Sequence, residues 1–265
     1  MWLLNTRTAE LEFFEEAAVG RVCYAVVSHI WGENEPSWED VARRWEAGGA
    51  SRDQAAFAKI DACAQLAWDR EIPYLWIDTC CVGVRSGDDV STAVTQVRAL
   101  FAGAVACFVH LSDVGGSTSG ALDAEVARDV MRSRWFRCSW TLPELVFSAG
   151  SPVWLFSWDW EWLGSSAVFA GAIARYCGIP EDLVRGRCGH EQYHAVERVG
   201  WARCRFAHHA EDEAYCLMGL FLAQPMPLRY GEGLLRAFRR LQEQFLLQNG
   251  GRDLSLLAWT ATDFD

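Results

Sequence analysis

The residues best equipped for chemistry lie between positions 133 and 145. Ser133-Arg134-Trp135-Phe136-Arg137-Cys138-Ser139-Trp140-Thr141-Leu142-Pro143-Glu144-Leu145 gathers two arginines and two tryptophans around one carboxylate. Among aromatic rings a glutamate resists ionisation, while nearby guanidiniums favour it, and that balance sets what the carboxyl can do. The same stretch also fits a purely local role. Thr141-Leu142-Pro143-Glu144 matches a capping box, with Thr141 as N-cap, Glu144 folding back and Pro143 in the first helical turn. Ser28-His29-Ile30-Trp31-Gly32 and Asp78-Thr79-Cys80 each follow an apolar run. His29 and Asp78 can serve as structural hydrogen-bonding residues or as contacts to a ligand's hydroxyls. His208-His209-Ala210-Glu211-Asp212-Glu213 reads as a solvated helix start, with acids favoured by the helix dipole.

Several chemistries are excluded. The chain has no GxxxxGKS or GxxxxGKT phosphate loop, no GxSxG nucleophile turn and no HExxH metal pair, and Gly231-Glu232-Gly233 lacks the third glycine of a dinucleotide loop. Lys59 is the only lysine, so Schiff-base chemistry is not expected and contacts to anions fall to arginine. The 10 cysteines show no CxxC spacing, and Cys80-Cys81 is the one adjacent pair. They read as reduced thiols packed in apolar runs, and no metal site is expected. With 24 basic and 35 acidic residues the formal net charge is −11, which argues against a nucleic-acid binder. No apolar run is long enough to span a membrane, and Met1-Trp2-Leu3-Leu4-Asn5-Thr6-Arg7 does not resemble a secretory leader, so a cytoplasmic location is expected.

The elements that must position these residues follow from apolar patterning. In a chain of 265 residues, 51% hydrophobic, a sizeable core is expected. Strands are predicted at 23–28, 74–78, 105–111 and 153–156. Between them come helices over 51–70, with Phe57, Ile60, Cys63, Ala64 and Ala67 on one face, from Ser91 through Val94, Val97 and Leu100-Phe101, and over 121–132. Gly115 to Gly120 reads as a loop. Alternating strands and helices with continuously apolar strands predict an α/β fold, a parallel sheet flanked by helices. In such sheets a ligand sits beyond the carboxyl ends of the strands, where Ser28-His29, Asp78 and Ser112-Asp113 converge. Further helices are predicted at 165–177, 191–205, 210–221 and 232–248, and a strand at 254–259. The chain thus divides into an α/β core (1–160) and a mostly helical extension packed on it (161–265).

Taken together, six stretches resemble the fungal heterokaryon-incompatibility (HET) domain. They are Leu3-Leu4-Asn5-Thr6; Tyr24 to Gly32; Trp76-Ile77-Asp78-Thr79-Cys80-Cys81; Ser133-Arg134-Trp135-Phe136 with Trp140 to Leu145; Asp212 to Phe221; and Pro227 to Gly233. The family is distantly similar to TIR (Toll/interleukin-1 receptor) domains, which implies a TIR/flavodoxin-like sheet. In enzymatic TIR domains a glutamate in a comparable segment cleaves NAD, and by position that residue is Glu144. Cys138-Ser139 and Pro143 depart from the usual HET pattern, and Pro143 directly precedes Glu144.

The resemblance implies a nicotinamide-releasing NAD+ nucleosidase acting in fungal non-self recognition and cell death, with NAD as substrate and no further cofactor. A lone carboxylate suffices in principle, because nicotinamide leaves neutral and only the ribose turns cationic. Trp31, Trp135 and Trp140 are candidates to stack on the rings, Arg134 or Arg137 to meet the diphosphate, His29 and Asp78 to bind the ribose hydroxyls, and Ser28 and Gly32 are further substrate-binding candidates. A homo-oligomer and an upstream sensor protein are the implied partners. The alternative is a non-catalytic self-association module in which Glu144 only caps a helix.

Overall fold

A computed structural model describes residues 1–15, 20–33, 35–46, 54–82, 96–116 and 124–258. Four strands form a parallel centre: β3 (Tyr24–His29), β4 (Tyr74–Trp76), β5 (Ala106–His110) and β6 (Val153–Phe156). Every residue of β3 and β5 is buried, which is why their sequences run apolar without alternation. Three antiparallel strands extend the edges: β1 (Trp2–Asn5), β2 (Leu11–Phe13) and β7 (Trp162–Ser165). The resulting seven-stranded order is β2-β1-β4-β3-β5-β6-β7. The apolar runs had not revealed the edge strands, each only three or four residues long.

Within the centre, β4 lies on one side of β3 and β5 on the other. The winding therefore reverses at β3, and the carboxyl ends of β3 and β5 are where such sheets take a ligand. The register sets His29 directly opposite His110, and Val26 opposite Trp76. Asp78 begins the short helix after β4, so it stands at the same rim.

The first helices are α1 (Trp38–Glu46), α2 (Gln54–Trp68), α3 (Asp78–Cys81), α4 over 96–103, α5 (Ala124–Arg132) and α6 (Thr141–Ser148). Helix α2 buries Phe57, Ile60, Cys63, Ala64 and Ala67, the face its periodicity predicted. The predicted cap Ser91, Val94 on the same helix, and 117–120 of the glycine-rich loop lie outside the described residues.

Residues beyond the sheet are mostly helical: α7 (Ser166–Cys177), α8 (Glu181–Val184), α9 (Ala195–Gly200), α10 (Asp212–Tyr215), α11 (Met218–Phe221) and α12 (Leu234–Asn249). Helix α12 buries Ala237, Phe238, Leu241 and Phe245 at helical spacing and ends at Gly250, whose φ of 61° suits glycine. Three predicted elements differ. The helix expected over 191–205 shrinks to α9: Glu197 accepts the His194 N–H at 2.9 Å to start it, and Cys204 adopts a left-handed φ of 66° beyond its end. The helix expected over 210–221 divides into α10 and α11, because between them the backbone bonds tighten to the three-residue pattern, Leu217 N–H to Ala214 and Leu220 N–H to Leu217. The strand expected at 254–259 is a 3-10 turn, Ser255–Ala258. Asp253 accepts both the N–H and the hydroxyl of Ser255, an alternative to a strand ladder; Trp259 lies outside the described residues.

Phe108 occupies the middle of the sheet with no exposed surface, stacked on Trp154 at 5.7 Å and edge-on to Phe156 at 5.9 Å. Phe108→Ala is expected to cost about 3–5 kcal/mol, read by urea denaturation. A loss under about 1 kcal/mol would place that ring outside the core.

Candidate functional site

Glu144 stands in the first turn of α6, which begins where the chain crosses back over the carboxyl end of the sheet. The capping box predicted for it is absent. Trp140 occupies the N-cap position without a side-chain bond, and the Thr141 hydroxyl turns back to the carbonyls of Trp135 and Cys138. Thr141 already belongs to the helix, so its hydroxyl cannot reach forward to the N–H groups a cap would serve. Glu144 is thereby freed from its own backbone, and Oε2 accepts a hydrogen bond from the Ser28 hydroxyl near the end of β3. Ser28 in turn accepts from the indole N–H of Trp135 at 2.8 Å. A buried indole needs such a partner, so this chain of donors locks three side chains at once.

The segment before α6 is tied to the rim by Asp113. Its carboxylate accepts the Ser133 hydroxyl at 2.6 Å and the Arg134 N–H at 2.8 Å, and Ser133 accepts the Trp135 N–H at 3.2 Å. Asp113 is held below the usual carboxylate range by these bonds and the Arg134 charge, which outweigh its partial burial.

Glu144 retains some exposed surface, yet protein packed around the carboxyl raises its pKa well above the ordinary 4.5. Burial is the main cause and the negative charge of Asp78 adds to it, while the Ser28 hydroxyl and the Arg205 charge pull the other way.

A second polar group surrounds His29 on the neighbouring rim. The imidazole is buried, with Asp78 Oδ1 at 3.7 Å from Nδ1 and Glu35 Oε2 at 3.7 Å from Nε2. Both separations exceed hydrogen-bond length, and neither ring nitrogen has a hydrogen-bond partner among the described residues. Asp78 Oδ2 accepts the indole N–H of Trp31 at 2.6 Å; that ring is 63% exposed. Glu35 pairs with Lys59 and accepts the Gly32 N–H at 2.8 Å. Burial resists ionisation of Glu35, but His29, Lys59 and Gly32 together bring its pKa down to about 2. At the end of β5 His110 stacks on Trp160 at 4.3 Å, and burial pushes its pKa down to about 4.

Of the residues singled out from sequence, Ser28, Trp135 and Glu144 form one hydrogen-bonded chain, and His29, Trp31, Gly32 and Asp78 form the adjoining group. Three turn elsewhere. Arg134 lies exposed against Asp113, Arg137 donates to the Tyr176 hydroxyl at 3.3 Å, and Trp140 bonds to Asp212. Glu35, Lys59 and Arg205 had not been singled out for the site. Lys59 and Arg205 lie far from the strand ends in sequence, and no local pattern relates them to His29 or Glu144. Glu35 follows His29 closely enough that its place in the same loop was a usable signal.

Residues 24–134 match the family model described as heterokaryon incompatibility protein (HET). Over that segment the chain is similar to the HET domain. It is 30% identical over 228 residues to the vegetative incompatibility protein HET-E-1 of Podospora anserina, an overlap that covers 86% of this chain and 16% of that protein. No solved structure matches the chain. The family match spans β3, β4 and β5 with Asp78 and Asp113, and the longer overlap with HET-E-1 extends well beyond it. Among the described residues no helix is long and apolar enough to cross a membrane, and no three His, Cys, Asp or Glu side chains are grouped to hold a metal ion.

Ser28 favours the ionised form of Glu144 by donating to it. Ser28→Ala is therefore expected to move the Glu144 pKa further up, measured by carbon-13 NMR of glutamate side chains. It is also expected to cost about 1–3 kcal/mol, because the Trp135 indole loses its acceptor. A downward shift would contradict the assigned bond.

Proposed function

We propose that this HET-like chain is a nicotinamide-releasing NAD+ nucleosidase acting in heterokaryon incompatibility and cell death, with a TIR-like site. The observation that carries the reading is the Glu144 carboxyl. It is released from any capping role and held by Ser28 and Trp135 at the carboxyl end of the sheet, beside Asp78. The family match and the likeness to an incompatibility protein support the biological role.

In this reading the bond between ribose C1′ and the nicotinamide nitrogen breaks, and its electron pair leaves with neutral nicotinamide. The ribose becomes cationic, and ionised Glu144 stabilises it until water adds, giving ADP-ribose and a proton. Burial keeps Glu144 protonated further up the pH scale than an ordinary carboxyl, and an incoming pyridinium cation favours its ionised form. In this reading Asp78 binds the ribose hydroxyls with the buried His29 behind it, and the open face of Trp31 stacks on a flat ring. Assembly with a second copy and control by an upstream sensor belong to the same proposal. Largely exposed Trp31, Trp158 and Trp162 favour association.

The test is nicotinamide release from NAD+ over a range of protein concentrations. Glu144→Gln is expected to lower turnover by at least about 100-fold, the scale of losing a positioned charge. Equal rates in the variant would remove Glu144 from the chemistry, and a protein inert at every concentration that still self-associates would favour the interaction module. Since the ionised carboxyl is the active form, kcat/KM is expected to fall as pH drops through the raised Glu144 pKa, so the loss begins well above pH 4.5.

The same group gives a stability prediction of opposite sense. A carboxyl whose pKa is raised by folding contributes fully below its unfolded value and loses that contribution as pH rises through the folded value. Glu144→Gln is therefore expected to raise Tm at pH 8 by about 2–4 °C, the shift that roughly 1 kcal/mol makes in a domain this size, with little change near pH 4. A Tm unchanged or lowered at pH 8 would contradict the assigned burial.

A further inference from the structure

A cavity of about 310 Å³ is lined by Arg137, Arg203, Arg205, Tyr176 and Phe206, and of the residues around Glu144 only Arg205 borders it. Three guanidiniums line it, from Arg137, Arg203 and Arg205, and no carboxylate does. That concentration of positive charge is unexpected in a chain of net charge −11. None of the three arginines is ion-paired among the described residues. Arg205 is buried and holds the Cys138 carbonyl and the Thr141 hydroxyl, each at 2.9 Å, while its Nε has no partner among the described residues. Arg205 is thus spent on the protein's own backbone and hydroxyl and adds positive charge at the cavity wall, and the exposed Arg203 and Arg137 are the guanidiniums open to a ligand. Two largely open aromatic rings, Tyr176 and Phe206, complete the lining, 45% and 60% exposed.

The cavity floor is built by pairing of backbones. Phe206 donates its N–H to the Arg137 carbonyl at 2.7 Å, and its carbonyl accepts the Ser139 N–H at 3.0 Å. This fixes the 203–206 turn against the turn before α6, with Cys204 in the left-handed region at φ 66°. The three arginines thus come from two clamped segments, a preorganised arrangement that limits the ordering cost of binding.

We infer that this cavity is a nucleotide site, in which the arginines take a diphosphate and Phe206 and Tyr176 stack on the base. Arginine suits phosphate oxygens through paired N–H donors, and stacking on an open ring supplies selectivity for a ligand that carries a base. The volume lies at the lower end of small-molecule sites, about 300–1,000 Å³, enough for the phosphates and sugar with the base at the open rim. The site stands apart from the proposed NAD cleavage and does not depend on it.

Titration calorimetry at low salt with ADP, inorganic pyrophosphate and adenosine tests the assignment. ADP is expected to bind saturably and more tightly than either fragment. Arg203→Ala and Phe206→Ala, both at exposed positions, are each expected to weaken ADP by about tenfold, while Glu144→Gln leaves its affinity unchanged. Pyrophosphate binding as tightly as ADP would overturn the nucleotide assignment. ADP affinity unaltered by both variants, or no saturable binding up to millimolar ADP, would overturn the site itself.

Discussion

One hydroxyl joins the two halves of the candidate site. Ser28 is the penultimate residue of β3 and Glu144 lies in the first turn of α6, 116 residues later, and the Ser28 oxygen both accepts from Trp135 and donates to Glu144. If that oxygen is displaced, a buried indole and a buried carboxyl each lose a partner. The orientation of α6, the position of Trp135 in the core and the state of the Glu144 carboxyl therefore depend on a single register: β3 must end at the level where the turn before α6 passes over it. Parallel pairing of β3 with β5, which sets His29 opposite His110, enforces that level.

The rim also separates its charges. Glu35 is strongly ionised because Lys59, Gly32 and His29 surround it, whereas Glu144 is kept from ionising by burial and by Asp78. Two glutamates of ordinary intrinsic acidity thus stand far apart in proton affinity, an arrangement that divides structural from chemical work. Lys59, the only lysine, is committed to the structural partner. The arginines are left to serve other surfaces, and three of them gather at the second cavity.

Strand pairing explains why the matched segment holds the strand-end half of the site, Ser28, His29 and Asp78, although it stops before Trp135 and Glu144. The matched segment contains the three strands around the winding reversal, and in a parallel sheet that reversal is where neighbouring connections diverge and leave a crevice. The antiparallel edges cover the flanks of the sheet without contributing a residue to this rim.

Much of this was legible in the sequence by itself. Continuous apolar runs located β3, β4, β5 and β6, because strands buried on both faces cannot alternate, and the polar residues ending them marked the rim. The helical spacing from Phe57 to Ala67 located α2. Only the tertiary structure decided the rest. Thr141 and Glu144 satisfy a capping pattern as text, but the choice between cap and site turned on whether a distant hydroxyl stood within reach. Arg137 and Trp140 sit next to Glu144 in sequence and face Tyr176 and Asp212 in space, whereas Glu35, Lys59 and Arg205 carry no sequence mark of their roles. Local pattern records which face of an element is apolar; which polar group meets which is set by how the elements pack, and that information is spread over the whole chain.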